Sequence, residues 1–207
     1  MSQIGEISIV MTNRNPDMEQ SKSGVECIVE VNMFDNFSVR RFQNSDASEV
    51  SNLIIKTLRT TNIKDYSAEY IENDVKNFSP DGVMQRARWT HFYVVCDKET
   101  IVGCGAIGSY WGKEDESSLF NIFVLPEYQG KGVGRKIIKT LEKDDYFLRA
   151  KRIEIPASIT ACEFYKKMGY TYKNGIDVVD DEQLFRLEKF RYQEGTKLIC
   201  TYVHGVS

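Results

Sequence analysis

Two periods of hydrophobicity take turns along the chain. EISIVM (6–11) and VECIVEV (25–31) alternate apolar and polar residues, the period of a half-buried strand, around a polar stretch at 12–24 that reads as loop. FSVRRF from Phe37 is a further strand and opens the main domain. SDASEVSNLIIKTL changes the period: Val50, Leu53, Ile54 and Leu58 form a helical stripe, with Ser45 or Asp46 as N-cap. Ser67 caps a second predicted helix, AEYIENDVKNF. HFYVVCD and TIVGCGAIGSYW are a strand pair turning at Lys98–Glu99, and SLFNIFV is a strand ended by Leu125 and Pro126. A helix is predicted from Gly132 to Leu148 on the stripe Val133, Ile137, Ile138, Leu141 and Leu148. RIEIPA is a short strand. Ser158 caps a helix with Ala161, Phe164, Tyr165 and Met168 on one face and Gly169 just past its end. YTYKN and QLFRLEKF close the sheet, and KLICTYVHG in the tail offers one more strand.

This order predicts an α/β protein of the α+β type, with a mixed, mostly antiparallel central sheet flanked by helices. The expected division is an N-terminal extension (1–36), a main domain (37–190) and a C-terminal tail (191–207). Strand-like terminal segments offer edges through which two copies could pair as a homodimer.

Composition narrows the classes. The 207 residues are 42% hydrophobic and 28% charged, with a formal net charge of −3, ordinary values for a globular protein. No run is long and apolar enough to span a membrane. MSQIGEISIV lacks the basic and apolar regions of a secretory signal. Five cysteines, widely spaced and without C-x-x-C, speak against a disulfide framework or structural zinc and fit a reducing, cytoplasmic setting. With His91 and His204 as the only imidazoles, no metal site is expected.

Charge is unevenly placed. Residues 129–167 hold ten basic and five acidic side chains, a surplus of five that leaves −8 on the remainder. The basic block lies at LPEYQGKGVGRKII, where Gly130, Gly132 and Gly134 precede a helix. Glycine reaches positive φ and lets a ligand approach the backbone. Consecutive free amides at a helix start form an anion site. The amides of Gly130, Gly132, Val133, Gly134 and Arg135 therefore point to a phosphate ligand. A dinucleotide fingerprint fails because Arg135 stands where the third glycine belongs, and a Walker A loop fails because no Ser or Thr follows Gly130-Lys131.

What fits is Q-x-x-G-x-G: Gln129, Gly132 and Gly134. With NIFVLPEY before it and SITACEFYKKMGY after it, the segment resembles the GNAT superfamily of N-acetyltransferases, over roughly residues 37–190 and most closely over 118–171. The resemblance implies a GNAT-like acyl-CoA acyltransferase fold and acetyl transfer from acetyl-CoA, as cosubstrate, to a primary amine by direct attack in a ternary complex. It implies that the loop holds the diphosphate, with Lys131, Arg135 and Lys167 adding charge-assisted contacts. Amides of Ile122, Phe123 and Val124, on a bulged and splayed strand, would receive the pantetheine arm and acetyl oxygen. Phe164 belongs to the matched cofactor-side helix, and Tyr165 falls at the sulfur as general acid. Ser158 stands where the family often has Asn, with shorter reach.

The family's strand glutamate corresponds to Ser118. Glu116, two residues earlier, is the substitute base considered, with Glu69 and Glu72 as alternatives. Tyr110 and Trp111 are expected near the acceptor mouth. The acceptor amine is not specified by the sequence, and no nucleic-acid or membrane partner is expected. A non-catalytic acyl-CoA sensor is the alternative; tighter binding of ATP or NAD than of CoA would mark a nucleotide-binding protein instead.

Overall fold

The computed structural model describes residues 37–191. The expected N-terminal strands, the 191–207 tail beyond Arg191 and His204 lie outside the described residues. Seven strands form one sheet: β1 (Phe37–Arg41), β2 (His91–Asp97), β3 (Thr100–Tyr110), β4 (Lys113–Val124), β5 (Arg152–Ala157), β6 (Thr171–Tyr172) and β7 (Phe185–Phe190). Their order is β1-β2-β3-β4-β5-β7-β6. The β4–β5 pair is parallel and the rest are antiparallel, the mixed sheet expected from the sequence.

Helices α1 (Ala47–Thr60), α2 (Ala68–Val75) and α3 (Pro80–Trp89) cover one face. Helices α4 (Val133–Leu141), α5 (Asp145–Arg149) and α6 (Cys162–Lys167) cover the other. The predicted stripes are where the cores form. Val50, Leu53, Ile54 and Leu58 are buried on α1, and Val133, Ile137, Ile138 and Leu141 on α4.

Three local expectations need correction. The helix expected over 132–148 stops at Leu141, because the Asp144 side chain accepts the Tyr146 N–H at 2.8 Å and starts α5. Leu148 thereby leaves the stripe and is half exposed. Helix α3 is not among the predicted elements; Ser79 caps it with Pro80 in its first turn, while a 3-10 turn at Lys76–Phe78 ends the α2 pattern. Asp46 sits at the start of α1 without capping it, since its carboxylate is taken by the Arg40 guanidinium at 2.6 and 3.0 Å and by the Gln43 amide.

The β4–β5 pair positions the site. Its ladder extends only from Glu116–Arg152 to Ser118–Glu154, and then the strands part. At the same level β4 bulges. Ala106 faces Phe120 and Cys104 faces Phe123, so Asn121 and Ile122 together oppose Gly105. Asn121 takes φ +53° at the bulge. The side-chain faces shift accordingly: Leu119, Ile122 and Val124 join the core under α4, while Phe120 and Phe123 join the core under α1–α3. Equivalent positions three residues apart are possible in a strand only across such an insertion.

Gly105 makes room for this arrangement. A Cβ there would lie 2.4 Å from Ile137 Cγ2 and 3.4 Å from Ile122 Cγ1. Gly105→Ala is expected to destabilise the fold by about 1–3 kcal/mol through overpacking. Thermal denaturation should show Tm falling roughly 2–4 °C per kcal/mol in a domain of this size.

Candidate active site

The parting of β4 and β5 opens a cavity of about 930 Å³. Its floor is β4 from Leu119 to Val124 with Ile155 and Pro156 of β5. One end is the glycine loop with Ser158 and α6, and α2 with the end of α1 forms a further wall.

The loop has the geometry its letters demand. Gly130 and Gly132 take φ +76° and +87°, and Gly132 is the N-cap of α4 without any side-chain cap. Among the described residues, the amides of Gly130, Gly132, Val133, Gly134 and Arg135 donate to no acceptor, whereas Lys131 N–H is used by Tyr128 O. A row of unused donors at a helix start fits an anion. Gly134 permits close packing of the helix on α6, since a Cβ there would lie 3.2 Å from the Phe164 ring.

Each expected site residue can now be placed. Ile122, Phe123, Val124, Gln129, Gly130, Gly132, Gly134, Arg135, Ser158, Phe164 and Tyr165 line the cavity. Val133 buries its side chain in the core, so it can offer only its amide. Gln129 braces the loop, its amide donating to Thr61 Oγ1 and Val124 O at 3.1 Å each. Ser158 caps the turn before α6, accepting the Ala161 N–H at 3.3 Å. Lys131 lies outside the wall with its ammonium 5.1 Å from the Tyr128 ring centre, and Lys167 is on the exposed side of α6. Arg135 has no hydrogen-bond or ion-pair partner among the described residues and lines the cavity.

Tyr165 is buried, its ring edge-on to Phe164 at 5.1 Å and to Tyr170 at 6.3 Å. No group among the described residues hydrogen-bonds its hydroxyl. Burial pushes the phenol above the ordinary tyrosine value, so it stays protonated and able to donate.

The carboxylates considered as bases are placed elsewhere. Glu116 is outside the cavity wall and pairs with Arg152 and, at 2.9 Å, with Lys113. Burial opposes its charge, yet those two cations hold its carboxyl below the usual range, which makes it a poor proton acceptor. Glu72 is held by Arg59 through two bonds of 2.7 Å on the outer side of α2, and Glu69 is also exposed. Ser118 is buried and donates to Glu154 O at 3.1 Å. Tyr110 and Trp111 stand at the β3–β4 turn, the opposite end of β4 from the opening. Tyr110 packs on Arg152 and Lys173, and Trp111 is exposed.

Three features were missed in the sequence. Asn121 makes the bulge, and its buried Nδ2 has no partner among the described residues. Tyr66 and Tyr70 stack at 4.7 Å with 16° between planes and line the cavity. Asp74 lines it too. Helical spacing carried a signal for Asp74, which lies four residues from Tyr70 and three from the buried Ile71, whereas Glu69 and Glu72 share another face.

Residues 88–172 match the sequence profile of the acetyltransferase (GNAT) domain family. Over that span the chain is similar to a GNAT acetyltransferase domain. The family's acetyl-CoA chemistry accords with the glycine loop, whose unused amides fit a diphosphate. No curated protein matches the sequence closely enough to count as a relative. Solved structures of the GNAT fold do match. The PaiA N-acetyltransferase of Thermoplasma acidophilum, in complex with coenzyme A, superposes with TM-score 0.65 at 18% identity, over 75% of this chain and 99% of that one. A GCN5-related N-acetyltransferase structure from Rhodopseudomonas palustris gives 0.61 at 22%, over 74% and 95%. The N-acetylglutamate synthase of Neisseria gonorrhoeae, complexed with coenzyme A and L-arginine, gives 0.51 at 15%, over 76% and 34%. At such identities the likeness concerns the GNAT fold. Among the described residues, no helix is long and apolar enough to cross a membrane.

Proposed function

We propose that the protein transfers the acetyl group of acetyl-CoA to a primary amine by direct attack within a ternary complex. The observation that carries this reading is a coincidence of place. Residues whose amides have no acceptor among the described residues (Gly130, Gly132, Gly134 and Arg135), a splayed and bulged β4 edge, and a buried neutral phenol all border one cavity.

The residues divide the work. The amides from Gly130 to Arg135 hold the diphosphate, with the Arg135 guanidinium adding a charge-assisted contact. The β4 edge at Ile122–Val124, unpaired on its β5 side, directs backbone donors at the thioester carbonyl, where charge develops in the transition state. Tyr165 donates its proton to the departing sulfur. Phe164 and Ile155 contribute apolar wall, which excludes water and strengthens these contacts.

The test is thiol release from acetyl-CoA with primary amines, followed with a thiol reagent. Release should depend on amine and saturate with both substrates along intersecting, not parallel, reciprocal lines. CoA binding without release across a broad amine panel would instead make this a sensor domain.

A further inference from the structure

Charge is divided along the cavity. Among the described residues that line it, the charged side chains are Arg135 at the glycine loop, and Asp74 and Glu182. Glu182 is paired with Arg186, which also binds Asp180 at 2.5 Å. No salt bridge engages Asp74 among the described residues.

The surroundings of Asp74 suit an ammonium group. Asp74 and Glu182 both act on the Tyr70 hydroxyl, which, first through burial and then through these neighbours, is pushed up to about 12 and so stays neutral. Tyr70 donates to Glu182 O at 2.8 Å, and Tyr66 donates to Gln183 O at 3.0 Å while accepting the Ile159 amide at 2.8 Å. Their hydroxyls are thus committed to backbone, and their stacked rings remain as an apolar, electron-rich wall beside a carboxylate. Arg86 of α3 faces the same region, with its guanidinium 4.6 Å from the centre of the Phe78 ring and its Nη1 on Asn77 O. It attracts Asp74 only at longer range.

We propose that Asp74 receives the acceptor's ammonium group and takes its proton, and that the acceptor is a cationic primary amine without a carboxylate beside the reacting nitrogen. This rests on the transferase reading and assigns the base that Glu116 cannot supply. Asp74 removes one proton from the ammonium nitrogen, whose freed lone pair forms the N–C bond. The C–S bond breaks with its electrons on sulfur, and sulfur takes the Tyr165 proton. The second proton shed by the nitrogen restores the phenol, and Asp74 returns its own to water. Burial supports the role by pushing the Asp74 carboxyl above its ordinary value against the pull of Asn77 and Arg86. A carboxylate on the acceptor would meet Asp74 as a like charge.

The experiment compares wild type and Asp74→Asn with four probes: n-butylamine, 2,2,2-trifluoroethylamine, glycine and glycinamide. Butylamine arrives protonated at neutral pH, and trifluoroethylamine arrives largely neutral. The variant should lose about 10²-fold or more in kcat/KM with butylamine, the size of a general-base contribution, and less than about tenfold with trifluoroethylamine. Wild type should reject glycine relative to glycinamide, which lacks the carboxylate beside the nitrogen. CoA affinity, measured by calorimetry, should be unchanged, which shows that the variant is folded. Calorimetry of butylammonium with the CoA-loaded protein gives a readout independent of turnover and should show its binding lost in Asp74→Asn. Equal losses on both amines, or butylammonium binding that does not change with the variant, overturns the proposal. Butylammonium binding that depends on Asp74 in a protein that never releases thiol would uphold the ammonium site while sinking the transferase.

Discussion

Tyr165→Phe will lower kcat by about 10²-fold or more, within the range that a positioned general acid contributes, and will leave the Kd for CoA within twofold or so. The substitution removes one oxygen and keeps the ring that packs on Phe164 and Tyr170. The hydroxyl has no partner among the described residues, so its loss leaves no buried group unsatisfied there. Stability should therefore change little, and the defect should appear in the chemical step. Sign and pH range follow from burial. An exposed phenol titrates near ~10, and burial raises the Tyr165 value above that. The basic limb of the wild-type kcat profile should consequently not fall at pH ~9–10 through loss of this proton. A variant with unchanged kcat would remove Tyr165 from the mechanism, and a large loss of CoA affinity would make it a binding residue.

Gly132→Val is expected to weaken CoA binding by about 5- to 30-fold, with little change in Tm. Gly132 has φ +87° and ψ −8° at the N-cap of α4. An L-residue in that region is strained by roughly 1–2 kcal/mol, and a β-branched one is a genuine outlier there. In the free protein the loop can relax, because none of its amides from Gly132 to Arg135 is tied to the described fold. Binding must then restore the strained form, and each 1.4 kcal/mol corresponds to about tenfold in Kd. Calorimetry with CoA and with dephospho-CoA reads this directly. Both ligands should weaken in parallel, since the diphosphate is common to them. Undiminished binding of both would mean the diphosphate lies elsewhere.

How much of this was legible in the sequence depended on whether a local rule was strong enough to leave a mark. The glycine loop was legible because positive φ at Gly130 and Gly132 is written directly as glycine. The Ser158 cap and the apolar face around Tyr165 that packs against the core were legible for the same reason, as short-range rules about helix starts and faces. The β4 bulge was expected only through family resemblance. Asn121 and Ile122 oppose Gly105 because Ile137 fills the space beside that glycine, a contact between residues over thirty positions apart. Leu148 kept the apolar period of α4 but not its helix, since Asp144 spends its carboxylate on starting α5. Glu116 looked available in sequence and is not, because Arg152, thirty-six residues away, holds it. Asp74 was overlooked among the acidic residues of α2, since only the tertiary fold shows which helix face meets the cavity.

The most direct measurement is a crystal structure of the protein with acetyl-CoA. The account predicts diphosphate oxygens within hydrogen-bond distance of the Gly130–Arg135 amides, the pantetheine arm along Ile122–Val124, and the Tyr165 hydroxyl beside the thioester sulfur. Acetyl-CoA bound elsewhere, or bound in this cavity with its sulfur out of reach of Tyr165, would contradict it.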